Sequence, residues 1–169
     1  MNNIILCGFM GCGKTTVGKA LEAMTGRPNV DLDQYIEKQA GMSVSDIFAA
    51  LGEDGFRAME RDACAALSAE GGYILSLGGG TVLFEQNCAA LKAGGVICLL
   101  DISLDEARRR LKNVTDRPLL MRPDRDEAIA ALYAARAPLY KKAADVIIDG
   151  EQSPDKVAAD ILAAINARR

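Results

Sequence analysis

No histidine occurs anywhere in the 169 residues, which excludes a histidine-containing zinc site and a Cys-His nucleophile pair. The five cysteines, Cys7, Cys12, Cys64, Cys88 and Cys98, are an odd, scattered set without C-x-x-C spacing. That pattern suits reduced core residues better than a disulfide framework or a metal cluster. Long hydrophobic runs are missing as well: the strongest apolar stretch, Val96 to Leu100, falls far short of the roughly 20 residues a membrane span requires. Met1 to Leu6 lacks a basic n-region, so the expectation is a cytoplasmic protein with no membrane contact. Nor is positive charge in excess. With 20 Lys and Arg against 23 Asp and Glu, the net charge of −3 argues against nucleic acid as the main partner. Repeats, low-complexity tracts and dividing linkers are also lacking, so residues 1–169 are expected to form one domain, acting as a monomer.

What is present is a half-apolar chain, long enough to bury about 70% of its unfolded surface without a staple. Residues 4 to 16 read as a short apolar run, then G-x-x-x-x-G-K-T, then a helical pattern. This is a phosphate-binding loop: Gly8, Gly11 and Gly13 let backbone N–H groups converge, Lys14 supplies a cation, and the Thr15 hydroxyl can ligate Mg²⁺. The helix that follows adds the favourable end of its dipole. Cys12 lies among those amides beside Lys14, where a thiol pKa can fall; a small residue at a permissive position is the simpler reading.

Strand and helix patterns alternate along the whole chain. Strands are expected at 3–7, 30–33, 73–77, 96–100 and 145–148. Helices are expected at 14–24, 34–40, from Ser43, 53–69, 103–111, 127–143 and from Ser153, with Pro154 at the first helical position. Ser103 and Glu106 read as a capping box, and Thr81 as the cap of a further helix. The result is an α/β protein whose parallel strands all end on one edge, and the loops there should form the site.

Four features converge on that edge. Asp31 and Asp33 close the second strand, and period-two alternation places both carboxylates on one side; they serve a metal-bound water and a proton transfer, or merely cap the next helix. Arg57 and Glu60 are spaced i, i+3 on a helix, which alone signals only an exposed ion pair. Gly78, Gly79 and Gly80 follow the third strand and allow a ligand close to the backbone. Arg117 precedes Pro118 in a segment, Arg108 to Arg125, that holds seven cations against two acids and suits a small polyanion. A loop there would close over a nucleotide and exclude water. Arg136, on the next helix, would point back to the same cleft. Asp101, ending an apolar strand, competes with Asp31 as the metal-side carboxylate, and pattern alone leaves that choice open.

The set Gly8 to Thr15, Asp31-x-Asp33, Phe56-Arg57-x-x-Glu60, Gly78-Gly79-Gly80, Arg117-Pro118-Leu119-Leu120 and Arg136-x-x-Leu139-Tyr140 resembles the shikimate kinases over essentially the whole chain. The resemblance implies a three-layer P-loop NTP hydrolase fold with five parallel strands in the order 2-3-1-4-5. It implies transfer of the γ-phosphoryl of ATP, with Mg²⁺, to the 3-hydroxyl of shikimate, a step of chorismate and aromatic amino acid biosynthesis. By the same resemblance, Gly11, Cys12, Gly13, Lys14, Thr15 and Thr16 would hold the ATP phosphates, and Arg110 and Pro154 would flank adenine. Lys14, Asp33 and Arg117 would be catalytic; Thr15 and, through water, Asp31 would hold Mg²⁺. Shikimate would lie in a region spanning 31–60, bound by Asp33, Arg57, Glu60, Gly78, Gly79, Gly80 and Arg136, under a mobile lid at 112–124. The alternatives are a kinase for another hydroxy acid such as gluconate, and a module that binds ATP without transferring phosphate.

Overall fold

The computed structural model describes residues 2–168. At its centre lies β1 (Asn3–Cys7), buried at every position and paired in parallel on both sides, to β3 (Ile74–Ser76) and β4 (Gly95–Asp101). Outside these lie β2 (Asn29–Asp31) and β5 (Val146–Asp149), which gives the order β2-β3-β1-β4-β5. Ile4, Ile5, Leu6, Ile74, Leu75, Ile97 and Leu100 are all 2% exposed or less. Near-continuous apolar runs are what a parallel sheet covered on both faces requires.

Helices α1 (Lys14–Thr25), α2 (Leu32–Ala40), α3 (Val44–Glu70), α4 (Glu85–Gly94), α5 (Leu104–Leu111), α6 (Arg125–Ala143) and α7 (Pro154–Ala167) complete the fold. Gly26 and Gly41, both left-handed, end α1 and α2. The side chains of Ser43, Ser103 and Ser153 accept from the N–H three residues on, capping α3, α5 and α7.

Several boundaries differ from the sequence expectation, and each has a local cause. The second strand stops at Asp31: its carboxylate accepts from Gln34 N–H and caps α2, so Asp33 sits in the first helical turn. The alternation argument for the two aspartates therefore fails. The helices expected from Ser43 and over 53–69 run together as α3, bent at Gly52, where φ is 70°. Thr81 caps nothing; it opens a short 3₁₀ turn, Thr81–Leu83, and its hydroxyl goes elsewhere. The Ser103 and Glu106 box is half made, because Ser103 N–H donates to Glu151 while Glu106 binds arginines. Helix α6 starts at Arg125, two residues early, after a 3₁₀ turn at Pro118–Met121.

Candidate active site

Between β1 and α1 the chain must reverse over a handful of residues, and Gly8, Gly11 and Gly13 do so with φ of 146°, 79° and 98°. A side chain at Gly8 would also collide with Cys12 Sγ at 2.7 Å and the Leu100 carbonyl at 2.8 Å. Lys14 lies folded over this loop, its Nζ donating to the Gly8 carbonyl at 3.0 Å. The Cys12 side chain is buried inside the loop and its N–H donates to the Phe9 carbonyl. Cys12 thus packs and shapes the turn. Thr16 faces outward, bonding back to the Gly13 carbonyl.

A cleft of about 450 Å³ opens above this loop at the C-terminal ends of the strands. Gly11, Gly13, Lys14 and Thr15 of the loop line it together with Asp31, Asp33, Gly78, Gly79 and Arg136, and with Arg110 and Arg117. Asp31 and Asp33 share the cleft although one caps a helix and the other lies within it. Burial, with the neighbouring charges of Asp31 and Glu60, raises the Asp33 pKa, and Arg57 pulls it partly back. Asp101 lies outside the lining and is 3.4 Å from Lys141, so Asp31 is the strand-end carboxylate that lines the cleft with Thr15.

Ser76 was not anticipated. It pairs with Asp31 across β2 and β3, lines the cleft, is 6% exposed, and its hydroxyl has no partner. A strand-end serine inside an apolar run carries no signal of its own. Buried hydroxyls are normally paired, and this one, itself out of solvent, is an exception.

The basic segment mostly serves the fold. Arg108 pairs with Asp126, Arg122 with Asp124, and Arg125 donates to the Leu111 carbonyl. Arg109 and Arg110 together hold the Glu106 carboxyl down at about 2. Only Arg110 and Arg117 of the seven reach the cleft. Arg110 donates to the carbonyls of Gly11 and Gly150, tying the phosphate loop to the start of the β5–α7 connection. Pro154, at the start of α7, is exposed and outside the cleft lining.

Arg57 is placed differently from Arg136. It borders a second cavity, about 630 Å³, with its guanidinium 5.3 Å from the Phe56 ring and 5.0 Å from that of Phe84, while its charge still acts on Asp33. A Cβ added at Gly80 would stand 2.8 Å from Arg57 Nη2, and one at Gly79 would stand 2.8 Å from Arg136 Nη1. The two guanidiniums therefore lie against consecutive residues of the turn, and a side chain at either position would displace the arginine that rests there. Glu60, far from forming an exposed pair, is 1% exposed. It accepts from Arg57 Nη1 at 3.0 and 3.1 Å, from the Thr81 hydroxyl at 2.9 Å and from Asn87 Nδ2 at 3.3 Å.

A parallel sheet ending in a glycine loop with Lys14 and Thr15, facing paired carboxylates and arginines across one cleft, defines a P-loop phosphotransferase. The acceptor side narrows this further, because cations beside a glycine turn fit an anionic small molecule. A family model described as shikimate kinase matches residues 10–166, and the chain belongs to that family. It is 42% identical over 163 residues to the shikimate kinase of Thermodesulfovibrio yellowstonii, covering 96% of this chain and 94% of that one. The shikimate kinase of Symbiobacterium thermophilum is 41% identical over 169 residues, covering 98% and 97%. Among solved structures, the shikimate kinase from Acinetobacter baumannii in complex with shikimate superposes with a TM-score of 0.89 at 32% identity, covering 100% of this chain and 95% of that one.

Proposed function

We propose that this enzyme transfers the γ-phosphoryl group of ATP to the 3-hydroxyl of shikimate, giving shikimate 3-phosphate for aromatic biosynthesis. The observation that carries the reading is the shared cleft, which Lys14, Thr15, Asp33 and Arg136 line together, in a chain of the shikimate kinase family.

The amides of Gly11 and Gly13 and the Lys14 ammonium bind the nucleotide phosphates, with the N-terminus of α1 adding its dipole. Arg136, with Arg57 held by Glu60, takes the acceptor carboxylate; planar guanidiniums match it bidentately. That anchor at the far end of the ring sets the hydroxyl beside Asp33. The raised pKa of Asp33 makes it a better proton acceptor than an ordinary carboxylate, so it receives the hydroxyl proton as the new P–O bond forms. Little covalent help is needed in a loose phosphoryl transfer; position and positive charge do most of the work. Arg117, exposed at the cleft edge, supplies one such charge when segment 112–124 closes. Leu120, 3% exposed, anchors that segment to the body, and closure keeps water from competing for the phosphoryl group. Arg110 flanks adenine on the side facing the Gly150 to Pro154 turn.

Mg²⁺ suits the residues present. Among the described residues no cluster of three His, Cys, Asp or Glu forms a metal cage. Mg²⁺ prefers phosphate oxygens, waters and one or two protein oxygens, which Thr15 and Asp31 provide directly and through water. The ion would neutralise charge on the transferring phosphates.

No helix among the described residues is long and apolar enough to cross a membrane. We further propose a cytoplasmic monomer: all five cysteines are free, as a reducing compartment keeps them, and one chain supplies every group named above.

The test is ADP release from Mg·ATP in a coupled assay with shikimate, gluconate, a nucleoside monophosphate or no acceptor. Turnover confined to shikimate supports the reading. Turnover with gluconate would overturn the acceptor assignment, and ATP binding without turnover on any acceptor would make the chain a nucleotide-binding module.

A further inference from the structure

The two arginines reach the acceptor from separate helices, α3 and α6, and nothing in their own elements fixes the distance between them. Both lie against the Gly78-Gly79-Gly80 turn, and that turn is pinned from both sides. On the α6 side, the Tyr140 hydroxyl donates to the Gly79 carbonyl at 2.7 Å, and Tyr140 is 2% exposed. It sits one helical turn beyond Arg136, on the same face. On the α3 side, the Thr81 hydroxyl donates to Glu60 at 2.9 Å, and Thr81 is fully buried. Glu60 holds Arg57 one turn away on its own helix. Asn87 braces this second anchor, donating to both Glu60 and the Thr81 carbonyl.

We propose that Thr81 and Tyr140 are positioning residues that hold Arg57 and Arg136 at one fixed span, by pinning the glycine turn between α3 and α6. A run of three glycines has little intrinsic backbone constraint. Left unpinned it would let each guanidinium shift with its helix, and bidentate recognition is lost with displacements of about an ångström. The glycines let the guanidiniums rest against the backbone, and the hydroxyls hold that backbone in place. Neither hydroxyl touches the acceptor in this account, and the inference rests on the proposed role of the arginines in binding its carboxylate.

The experiment compares steady-state kinetics of the full-length wild type, Thr81→Val, Tyr140→Phe and Thr81→Ser, with melting curves for each. Thr81→Val and Tyr140→Phe remove one hydroxyl with nearly constant shape. Each is expected to raise the shikimate KM about 10-fold, the usual scale for losing one buried hydrogen bond, while the ATP KM stays within about twofold. Thr81→Ser keeps the donor and should restore a near wild-type KM. A purely structural role would raise both KM values together or leave both unchanged, and either result overturns the proposal. If Thr81→Val fails to fold, Tyr140→Phe and Thr81→Ser still decide it: an unchanged shikimate KM in Tyr140→Phe, or a raised one in Thr81→Ser, refutes it. Failure of the functional reading is separate, since the wild type itself would then show no turnover with shikimate.

Discussion

Replacing Glu60 by alanine tests whether the acceptor side of the cleft is built around one buried carboxylate. Glu60 is 1% exposed and accepts hydrogen bonds from Arg57, Thr81 and Asn87. Removing one partner of a buried ion pair costs about 3–5 kcal/mol. Arg57 keeps 23% of its side chain in solvent, so its stranded charge regains some hydration, which places the expected loss near the lower bound, about 3 kcal/mol. For a chain of this length each kcal/mol shifts Tm by roughly 2–4 °C, so the melting temperature should fall by about 6–12 °C. Glu60→Gln, which preserves shape and one acceptor, should lose about half as much. Urea unfolding followed by far-UV circular dichroism suits a chain without tryptophan, and an unchanged slope would show that the denatured state is unaffected. A loss below about 1 kcal/mol for Glu60→Ala would place the pair among ordinary surface ion pairs and refute the reasoning.

Asp33→Asn should lower kcat by roughly 10²-fold or more, the scale for losing a general base; an unchanged kcat removes that role. The same variant should melt higher than wild type at pH 7. Burial raises the Asp33 pKa, so stability from this group is complete below the ordinary carboxylate range and is lost as pH rises through the raised value. The gain should accordingly vanish in acid, where wild-type Asp33 is already protonated. Arg136→Ala should raise the shikimate KM with little change in the ATP KM, and an unaltered shikimate KM would exclude Arg136 from acceptor binding. Lys14→Met should abolish turnover while leaving the circular dichroism spectrum intact, because Lys14 bonds only loop atoms; retained activity would dismiss the phosphate loop from the chemistry.

The sequence by itself determined the elements and the chemistry of the loop. Gly8 to Thr15 specifies its turn through residues that only glycine can occupy, and the apolar runs of β1, β3 and β4 specify buried parallel strands. Those signals are local, since backbone sterics and hydrophobic period act within a few residues. The motif set also brought Asp33, Arg57 and Arg136 forward as candidates before any contact was known. Tertiary structure alone decided which charges meet. Glu60 and Arg57 have the spacing of an exposed ion pair; burial under Thr81 and Asn87, 21 and 27 residues away, makes theirs a packed anchor. The seven-cation segment looked uniform along the chain, yet partners such as Asp126, close in space, leave only Arg110 and Arg117 at the cleft. Asp31 and Asp101 both end strands, and only the sheet order, which sets Asp31 beside Ser76 and Asp101 beside Asp149, separates them. Burial and ion pairing depend on what the rest of the chain places nearby, and no window of the sequence contains that.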